Sequence, residues 1–553
     1  MNPQTAKTGK QKLSSLFAVL PLVLAAACGQ APAQIPATGG EPVKAIEVCD
    51  AGAAGETGPA TKLAFGTTPP SVAADGVPLS FFTVEVQDAE GRRISGDNTT
   101  VVTMQVEGTG AGFSGTLSKK VRAGRAVFDD LVPAGTGSAT LRASASGLSA
   151  SGAFGVEVGG AFALDSGTRS LGEGFLPALS RDGRYAAFHT GQIAVGKDAA
   201  QTWLADLASE GSALASSSVN DSFANGPSYF PSLSADGRYA VYVSDASDLV
   251  ENDTNGVSDV FLYDRETGTV LRVDTDCAGD ETPYGATAPA ISASGRYVAF
   301  ASAALSEFDE NNVAALSLYV RDLATGDGFL VSAGLNDEPA NDVSAGASLS
   351  DDGRYVAFLS AASNLVEGDT NGKWDVFVSD LKTQQTERVS LSSEGSEADG
   401  DNVFFLSRPA ISGDGRYVAF ASAASNLVEG DTNGRVDVFV RDREAGTTVR
   451  ASVSSEGAES TGSSWYPSIS SDGRFVAFSS DGTGLAPEDA DSGSDVFVRD
   501  ITAGRTLFVP SNGRDETADA ALPVLSGDGR SLVFQQVASS VNSIEVTAIL
   551  ESF

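Results

Sequence analysis

The sequence predicts an all-β protein in which a β-sandwich is followed by a closed ring of seven four-stranded sheets, a β-propeller. Two observations support this prediction. A motif, Ser-x-Asp-Gly-Arg followed by an apolar strand, recurs seven times in the C-terminal two-thirds of the chain. Upstream of it, residues 61–159 contain short alternating strands and turns without the motif. The copies are centred on Asp182, Asp236, Ser294, Asp352, Asp414, Asp472 and Asp528, at spacings of 54, 58, 58, 62, 58 and 56 residues.

The composition restricts the partners of the folded chain. Its 553 residues include 72 acidic and 36 basic side chains, which give a formal net charge of −36. Such a surface repels nucleic acid phosphates and anionic lipid headgroups. We therefore expect a protein, peptide or glycan ligand, no nucleic acid partner, and membrane contact only through a lipid anchor.

Residues 1–27 are predicted to be a signal peptide. Lysines precede an apolar stretch, Leu16–Ala27, that is too short to span a membrane. Small residues then precede Cys28, an arrangement that resembles a bacterial lipoprotein signal. The resemblance implies lipidation of Cys28 and location in the cell envelope, at the outer membrane or the cell surface. Cleavage of a plain signal peptide near Ala27 is the alternative.

Residues 28–60 are predicted to be a flexible, lipid-anchored tether. The segment is rich in Ala, Gly, Pro and Gln and has no periodicity. After the signal peptide and Cys28, only Cys49 and Cys277 remain. In an oxidising compartment these two cysteines could pair or stay free, and the sequence leaves both outcomes open.

Residues 61–159 predict an antiparallel sandwich. Strands such as Phe82–Gln87 and Val101–Val106 alternate apolar and polar side chains, and glycine-containing turns separate them. The order of these strands and turns resembles the bacterial immunoglobulin-like modules of invasin-type surface proteins. The resemblance implies an immunoglobulin-like sandwich that acts as a spacer.

Residues 160–553 predict the seven-bladed propeller, at about 56 residues per repeat. Asp-Gly between the first two strands of a repeat indicates a tight hairpin in which both turn positions adopt positive φ. The last repeat lacks a fourth strand, and Ala161–Gly167 is expected to supply it and close the ring. The repeats resemble the TolB-type, WD-like propellers of bacterial exported proteins, which implies a binding platform.

Three repeats carry a loop, Glu-x-Asp-Thr-Asn-Gly-x-x-Asp, that is a candidate calcium site. Oxygen ligands at positions 1, 3, 5 and 9 with Gly at position 6 suit a hard cation. The pattern resembles the calcium loops of integrin-type propellers, and the alternative is a polar turn capped by its own side chains. The candidate ligands of a structural Ca²⁺ are Glu251, Asp253, Asn255 and Asp259; Glu367, Asp369, Asn371 and Asp375; and Glu429, Asp431, Asn433 and Asp437.

Five aromatic residues are candidate ligand contacts at the mouth of the central channel. They immediately precede the innermost strands, on the face that also receives the acidic loops. Aromatic rings beside acids suit sugar, peptide or cationic ligands, and packing between blades is the alternative. The candidates are Phe175, Tyr229, Phe230, Trp465 and Tyr466.

The sequence assigns no catalytic residue. The chain has one histidine, His189, which occupies a position where other repeats have apolar residues, and it has no Gly-x-Ser-x-Gly motif. A binding or scaffold protein of the cell envelope is therefore the main interpretation. The alternative is an exported hydrolase or lyase acting on polysaccharide, which paired acids about 5–10 Å apart at the channel mouth would favour.

Overall fold

The computed structural model describes residues 58–160, 168–191, 199–209, 211–276, 279–302, 316–337, 340–402, 407–489, 493–510, 519–537 and 542–548. The predicted signal peptide, Cys28, Cys49 and Cys277 lie outside these ranges. Apart from a short 3₁₀ turn at Leu335–Asp337, the regular structure of the described residues is β, with no α-helix among them. The same residues contain no helix that is long and apolar enough to cross a membrane. The all-β class is therefore confirmed.

The first ten strands form three sheets over residues 62–159. A three-stranded sheet has the order β1-β3-β7, a five-stranded sheet has the order β2-β10-β9-β4-β6, and β5 pairs with β8. Side chains such as Phe82, Val84 and Leu141 are fully buried in one core shared by the two larger sheets. The strands are β1 (Lys62–Thr67), β2 (Val72–Ala74), β3 (Phe82–Gln87), β4 (Val101–Thr109), β5 (Gly112–Ser114), β6 (Ser118–Lys120), β7 (Arg125–Phe128), β8 (Val132–Ala134), β9 (Gly137–Ser144) and β10 (Phe154–Gly159).

The repeats form four-stranded sheets in which consecutive strands pair antiparallel. The first is β12 (Phe175–Leu179), β13 (Tyr185–Thr190), β14 (Gln201–Asp206) and β15 (Gly211–Leu214). The second is β16 (Ser228–Leu233), β17 (Tyr239–Ser244), β18 (Asp259–Asp264) and β19 (Thr269–Arg272). The third is β20 (Ala286–Ile291), β21 (Tyr297–Ser302), β22 (Ser317–Asp322) and β23 (Gly328–Leu330). The fourth is β24 (Ser344–Leu349), β25 (Tyr355–Ser360), β26 (Asp375–Asp380) and β27 (Gln385–Arg388).

The remaining repeats follow the same order. The fifth is β28 (Ala410–Ile411), β29 (Tyr417–Ser422), β30 (Asp437–Asp442) and β31 (Thr447–Arg450). The sixth is β32 (Ser464–Ile469), β33 (Phe475–Ser480), β34 (Asp495–Asp500) and β35 (Arg505–Val509). The seventh combines β36 (Asp519–Leu525), β37 (Ser531–Val537) and β38 (Asn542–Ala548) with β11 (Thr168–Glu173).

The chain ends meet in the seventh sheet, where β11 pairs antiparallel with β38. The segment expected to make this closure, 161–167, lies outside the described residues, and the observed closing strand follows it directly. Each first strand, from β12 to β36, contacts the first strand of the next sheet, and β36 contacts β12. Because the last sheet packs on the first, the sheets surround a common centre.

Backbone hydrogen bonds between motif turns follow the same circle. The Gly413 N–H donates to the Ser471 carbonyl at 2.8 Å, and the Ser471 N–H donates to the Gly527 carbonyl at 2.7 Å. The Gly527 N–H in turn donates to the Arg181 carbonyl at 2.8 Å, which links the seventh repeat to the first. Buried backbone groups of the turns thereby find partners in neighbouring sheets rather than in solvent.

The Asp-Gly turn differs from the expected geometry. Gly415 has φ 76°, whereas Asp414 is not among the residues with positive φ. The turn closes one residue earlier, because the Gly415 N–H donates to the Ser412 carbonyl at 3.0 Å. The Asp414 carboxylate accepts hydrogen bonds from the Ser412 hydroxyl at 2.6 Å and the Arg416 N–H at 2.9 Å. Expecting positive φ at both positions was therefore wrong.

The motif arginine and glycine join elements of the fold. The Arg416 guanidinium donates two hydrogen bonds, at 2.9 and 2.7 Å, to the carboxylate of Asp442 at the end of β30. A Cβ at Gly415 would lie 2.2 Å from the Tyr355 ring of the preceding repeat. Only glycine fits there, because the position combines positive φ with that close contact. The recurring motif is thus explained by structure alone.

The N-terminal sheets contact the motif-turn face of the second and third repeats. The Ser80 hydroxyl donates to the Asp236 carboxylate at 2.7 Å. The buried Phe81 ring stacks on Tyr239 with 5.9 Å between ring centroids. The Phe81 N–H also donates to the Ser294 carbonyl at 2.7 Å. The contact is therefore specific at both backbone and side-chain level.

Candidate functional site

A cavity of about 290 Å³ lies where the first strands of the sheets converge. Its wall contains one equivalent residue from each repeat, and in six of the seven repeats proline follows that residue. Most of these side chains are apolar. The residues are Leu176, Phe230, Ala288, Gly346, Arg408, Tyr466 and Leu522. We call this set the cavity ring.

A β-bulge places the cavity-ring residues of six repeats, whereas in the fifth the first strand begins only at Ala410 and Arg408 is not among the residues with positive φ. The pairing of first and second strands shifts register at this point, for example between Tyr229 and Ser232 and between Trp465 and Ser468. Phe230 has φ 55° at the bulge, a left-handed conformation that is uncommon for a residue with a side chain. Strained backbone of this kind persists only where surrounding structure holds it, and it concentrates at functional sites.

One end of the cavity is closed by an ion pair between repeats. Arg181, in the first motif turn, lies in the cavity wall. Its guanidinium is 3.0 Å from the Asp351 carboxylate of the fourth repeat and donates to the Ser471 hydroxyl of the sixth at 3.2 Å. Because these groups come from three sides of the circle, they close the motif-turn end. A ligand would therefore enter from the opposite face.

Arg408 is the cation of the cavity ring. Its stem passes Gly346, where an added Cβ would lie 3.6 Å from the Arg408 Cβ. The Arg408 side chain is half-buried at the cavity wall, and burial lowers the pKa of its guanidinium. Its one hydrogen bond among the described residues is long, 3.5 Å to the Pro289 carbonyl. The group therefore has no carboxylate counterion in the described part of the chain.

The predicted aromatic contacts divide into two groups. Phe230 and Tyr466 lie in the cavity wall, and burial raises the pKa of Tyr466 to about 12. Tyr229 is buried between sheets, with its hydroxyl 3.0 Å from the Asp245 carboxylate. Phe175 stacks on His189 at 5.3 Å, and Trp465 lies outside the cavity wall. The β-bulge determines which of these aromatic residues face the cavity. The alternation of apolar and polar residues along a strand does not reveal where a bulge lies.

Acid-base groups are absent from the described wall of the cavity, which contains no Asp, Glu, His or Cys side chain. His189 is buried away from it, and burial lowers the pKa of His189 to about 3. The wall therefore offers apolar surface, hydroxyl groups and guanidinium groups, but no pair of carboxylates for acid-base chemistry.

In each of the three acidic loops, an arginine lies among the predicted metal ligands. Arg388 is 3.1 Å from Asp369, 3.5 Å from Asp375 and 2.6 Å from Glu397. Glu397 also accepts hydrogen bonds from the Thr370 N–H at 2.9 Å and hydroxyl at 2.6 Å. The guanidinium thus supplies positive charge to these carboxylates.

The other two loops repeat the arrangement. The Arg450 guanidinium lies 3.2 Å from the Asp431 carboxylate and 2.7 Å from the Glu459 carboxylate. The Arg272 guanidinium lies 3.5 Å from the Asp253 carboxylate and 3.0 Å from the Glu281 carboxylate. Burial raises the pKa of Asp431 to about 6, with Asp437 adding to the effect.

The predicted first ligands, Glu251, Glu367 and Glu429, are exposed. Asn255, Asn371 and Asn433 donate to the ninth-position carboxylates of Asp259, Asp375 and Asp437.

These contacts bear on the calcium prediction. Among the described residues, no group of three or more His, Cys, Asp or Glu side chains is arranged to hold a metal ion. The carboxylates as placed fit a guanidinium, and Ca²⁺ could reach the same oxygens only if the arginine moved away. Calcium binding by these loops stays a prediction.

Sequence reasoning missed the arginine and its glutamate, although a signal was present. In all three loop-bearing repeats, arginine follows the ninth-position Asp by 13 residues and glutamate follows it by 22. At the arginine's register position, repeats without the loop have Leu214, Leu330 and Phe508. Loop and arginine therefore occur together within this chain.

Comparison with known proteins gives similarity of structure only. No protein-family model and no curated protein sequence matches the chain. It is similar to the β-propeller domain of the Trilobed protease from Pyrococcus furiosus (TM-score 0.43, 10% identity, covering 68% of this chain and 95% of that one). It is also similar to a putative TolB from Agrobacterium tumefaciens (TM-score 0.33, 16% identity, covering 58% and 89%).

An oligogalacturonate lyase in complex with manganese is a further similar structure (TM-score 0.42, 12% identity, covering 82% of this chain and 99% of that one). Similarity at this level assigns no function to the chain.

Proposed function

We propose that this chain is an exported binding protein whose ligand site is the central cavity. The observation that carries the proposal is the cavity itself: all seven repeats contribute to its wall, and the Arg181–Asp351 pair closes one end. Its volume of about 290 Å³ is close to the lower limit of small-molecule pockets, about 300 Å³. It suits one compact group, such as a peptide side chain or terminus, or part of a glycan.

The proposal includes an architecture of two β units. We interpret the repeat segment as a seven-bladed propeller, which the seven four-stranded sheets and the β11–β38 pairing support. We interpret residues 61–159 as an immunoglobulin-like sandwich, which its two larger sheets and shared core support. The formal net charge of −36 disfavours nucleic acid and anionic lipid surfaces, so a protein, peptide or glycan partner remains the expected ligand.

Location in the cell envelope through a lipid on Cys28 is also proposed. The support is the apolar stretch and small residues before Cys28. Replacement Cys28→Ser is expected to release the chain from the membrane fraction, because the acyl chains are the proposed anchor. A variant that stays in the membrane fraction after a salt wash would contradict lipid anchoring at Cys28.

Binding is favoured over the alternative, an exported polysaccharide hydrolase or lyase. That alternative expects two acids about 5–10 Å apart at the channel mouth. The described cavity wall has no acid, and the described loop carboxylates pair with arginines such as Arg388 and Arg450. The wall contacts thus support recognition rather than acid-base catalysis.

A screen of the soluble chain on peptide and glycan arrays, followed by a cavity-filling variant, tests the proposal. Ala288→Tyr puts a large ring where Tyr466 already stands at the equivalent backbone position, so the backbone accommodates it. The matched control is Ala445→Tyr, at an exposed turn of the fifth repeat. We expect Ala288→Tyr to remove at least about nine-tenths of the binding of array ligands, since truncating or blocking a central contact costs about 2 kcal/mol or more.

The control should bind like the original chain. Array ligands that bind Ala288→Tyr and the original chain equally would place binding on the outer surface and overturn the proposed site. Absence of any ligand on both arrays would contradict peptide and glycan recognition.

A further inference from the structure

Arg408 is the exception within the cavity ring. The equivalent residues are Leu176, Phe230, Ala288, Gly346, Tyr466 and Leu522, all without a charge. A charged group inside an apolar enclosure is unfavourable unless a partner of opposite charge accompanies it. The other cation in the wall, Arg181, has such a partner in Asp351. Arg408 has none among the described residues, and its long hydrogen bond to Pro289 does not neutralise it.

The surrounding structure makes room for this side chain. Gly346 is the only glycine of the cavity ring, and the Arg408 stem lies against it. The guanidinium crosses the fourth repeat toward the carbonyl of Pro289 in the third. An added Cβ at 346 would contact the Arg408 Cβ at 3.6 Å, so the arginine stem runs directly beside this position.

A second polar group on the same side also lacks a partner. The Ser348 hydroxyl belongs to the cavity wall, is buried, and has no hydrogen-bond partner among the described residues. Its equivalents are engaged by the next strand: the Ser232 hydroxyl accepts from the Ile291 N–H at 3.4 Å, and Ser468 accepts from Leu525 at 3.0 Å. A guanidinium with one long hydrogen bond and a hydroxyl with no partner among the described residues thus occur together beside the fifth repeat.

From this juxtaposition we propose that the cavity binds a compact organic anion, with a carboxylate or sulfonate against Arg408 and an apolar body against the remaining cavity ring. The inference rests on the proposed function, since it names the ligand class of the same site. A guanidinium and a carboxylate form charge-assisted hydrogen bonds, which are stronger than neutral ones. The apolar wall explains why the anion carries a hydrocarbon or aromatic body rather than being a free inorganic ion.

Two fluorescent probes that differ by one charged group test the inference. 8-Anilinonaphthalene-1-sulfonate is the anion, and N-phenyl-1-naphthylamine is the same ring system without the sulfonate. Titrations use the soluble full chain at about 0.15 M salt, where long-range repulsion by a net charge of −36 is screened beyond about 8 Å. Binding in the cavity is defined as the part of the probe binding that the Ala288→Tyr substitution abolishes.

We expect the chain to bind the sulfonate at least about tenfold more tightly than the neutral probe, the factor expected of a hydrogen bond to a charged group. In the Arg408→Met chain, the ratio of the affinity for the sulfonate to the affinity for the neutral probe should be close to one. Arg530→Met, which removes an exposed arginine of the seventh repeat, should leave the ratio unchanged. A ratio that is equal in the original chain and in Arg408→Met would overturn the inference.

The outcomes separate this inference from the proposed function. Equal binding of both probes would overturn the anion specificity and leave the cavity as a binding site. If neither probe gave a component sensitive to Ala288→Tyr, the anion inference would fail, while the array screen would still decide the proposed function. A melting curve gives an independent readout: without ligand, Arg408→Met should melt no lower than the original chain, because it removes a half-buried charge that has no carboxylate partner among the described residues. A clear loss of stability would show that the guanidinium has a structural partner and would also overturn the inference.

Discussion

At the scale of single residues, the repeated motif is a set of charge-assisted clamps. The Arg354 guanidinium donates to the Asp380 carboxylate at 2.9 and 2.6 Å, which joins the motif turn of the fourth repeat to the end of β26. The same guanidinium lies 4.6 Å from the centroid of the Tyr355 ring. Arg530 in the seventh repeat differs, because its one carboxylate neighbour among the described residues is the exposed Asp528 at 3.7 Å. Arg354, which has a close carboxylate partner, can therefore be compared with Arg530, whose carboxylate neighbour is farther away.

The clamp predicts a definite pH dependence of stability. Hydrogen bonds from Arg354 lower the pKa of Asp380 from its ordinary 3.8 to about 2. A carboxyl group with a lowered folded-state pKa stabilises the fold above its unfolded pKa, and this stabilisation is lost as the pH falls through the folded value. Comparing urea unfolding of the original chain with Arg354→Met should show a slightly lower stability of the variant at pH 6, because exposed ion pairs contribute little. The difference should shrink between about pH 4 and pH 2.

Arg530→Met is the control for this measurement, and its unfolding free energy should differ little from that of the original chain. A difference for Arg354→Met that stays constant or grows down to pH 2 would contradict the clamp.

At the scale of elements, each acidic loop and the end of the fourth strand form one unit. Arg388 at the end of β27 contacts Asp369 and Asp375 of the loop as well as Glu397 beyond the strand. Where the loop sequence differs, the strand carries an apolar residue at that register position, such as Leu330. A test of metal binding by the loop should therefore include a substitution of the arginine.

Removing the arginine separates the two roles assigned to the loop. Arg388→Met leaves three neighbouring carboxylates without a counterion, which is expected to cost about 3–5 kcal/mol in the presence of a chelator. Ca²⁺, a hard cation that prefers oxygen ligands, should then raise the melting temperature of this variant more than that of the original chain. Arg441→Met is the control, since Arg441 donates to backbone carbonyls such as that of Ser392. Equal stabilisation of all three chains by Ca²⁺ would show that arginine does not occupy the cation site.

The strands could be predicted from the sequence, whereas several of the contacts between them could not. Motif spacing and alternation predicted the strands of each sheet, because hydrogen bonding and side-chain period are local properties. Only Phe230 and Tyr466 of the cavity ring were among the predicted contacts, since a bulge decides whether Tyr229 or Phe230 faces the cavity, and alternation alone does not reveal a bulge. Arg408 was not among the predicted contacts, and the first strand of its repeat is only Ala410–Ile411. The Arg388 contacts join segments that are distant in sequence, and only the internal repeats could have revealed them.

At the scale of the whole molecule, the N-terminal sheets are fixed to the repeats rather than merely tethered to them. The Arg125 guanidinium donates to the Ala324 carbonyl at 2.6 Å, and Arg296 contacts both Asp129 and Asp322. Together with the Phe81–Tyr239 stacking, these contacts cover the second and third motif turns. A sandwich docked in this way fixes the orientation of the cavity relative to the N-terminal sheets.

Phe81 is the residue on which this docking should depend most. Phe81→Ala removes a buried ring from the contact and is expected to cost about 3–5 kcal/mol. In calorimetry, the N-terminal sheets of this variant should unfold separately from the repeats, whereas the original chain should unfold in one coupled transition. The control is Phe154→Ala, which weakens the internal core of the N-terminal sheets without touching the contact. A single transition in Phe81→Ala would contradict specific docking.

The measurement that tests the central claim most directly is protection of a thiol placed in the cavity ring. In a chain whose Cys28, Cys49 and Cys277 are replaced by serine, Ala288→Cys presents a single thiol to the cavity. The rate of its alkylation by a small maleimide is measured with and without a saturating ligand from the arrays. If the ligand occupies the cavity, alkylation should slow by about tenfold or more, because the bound fraction excludes the reagent. An unchanged rate under conditions where the ligand is bound would show that the site lies elsewhere on the molecule.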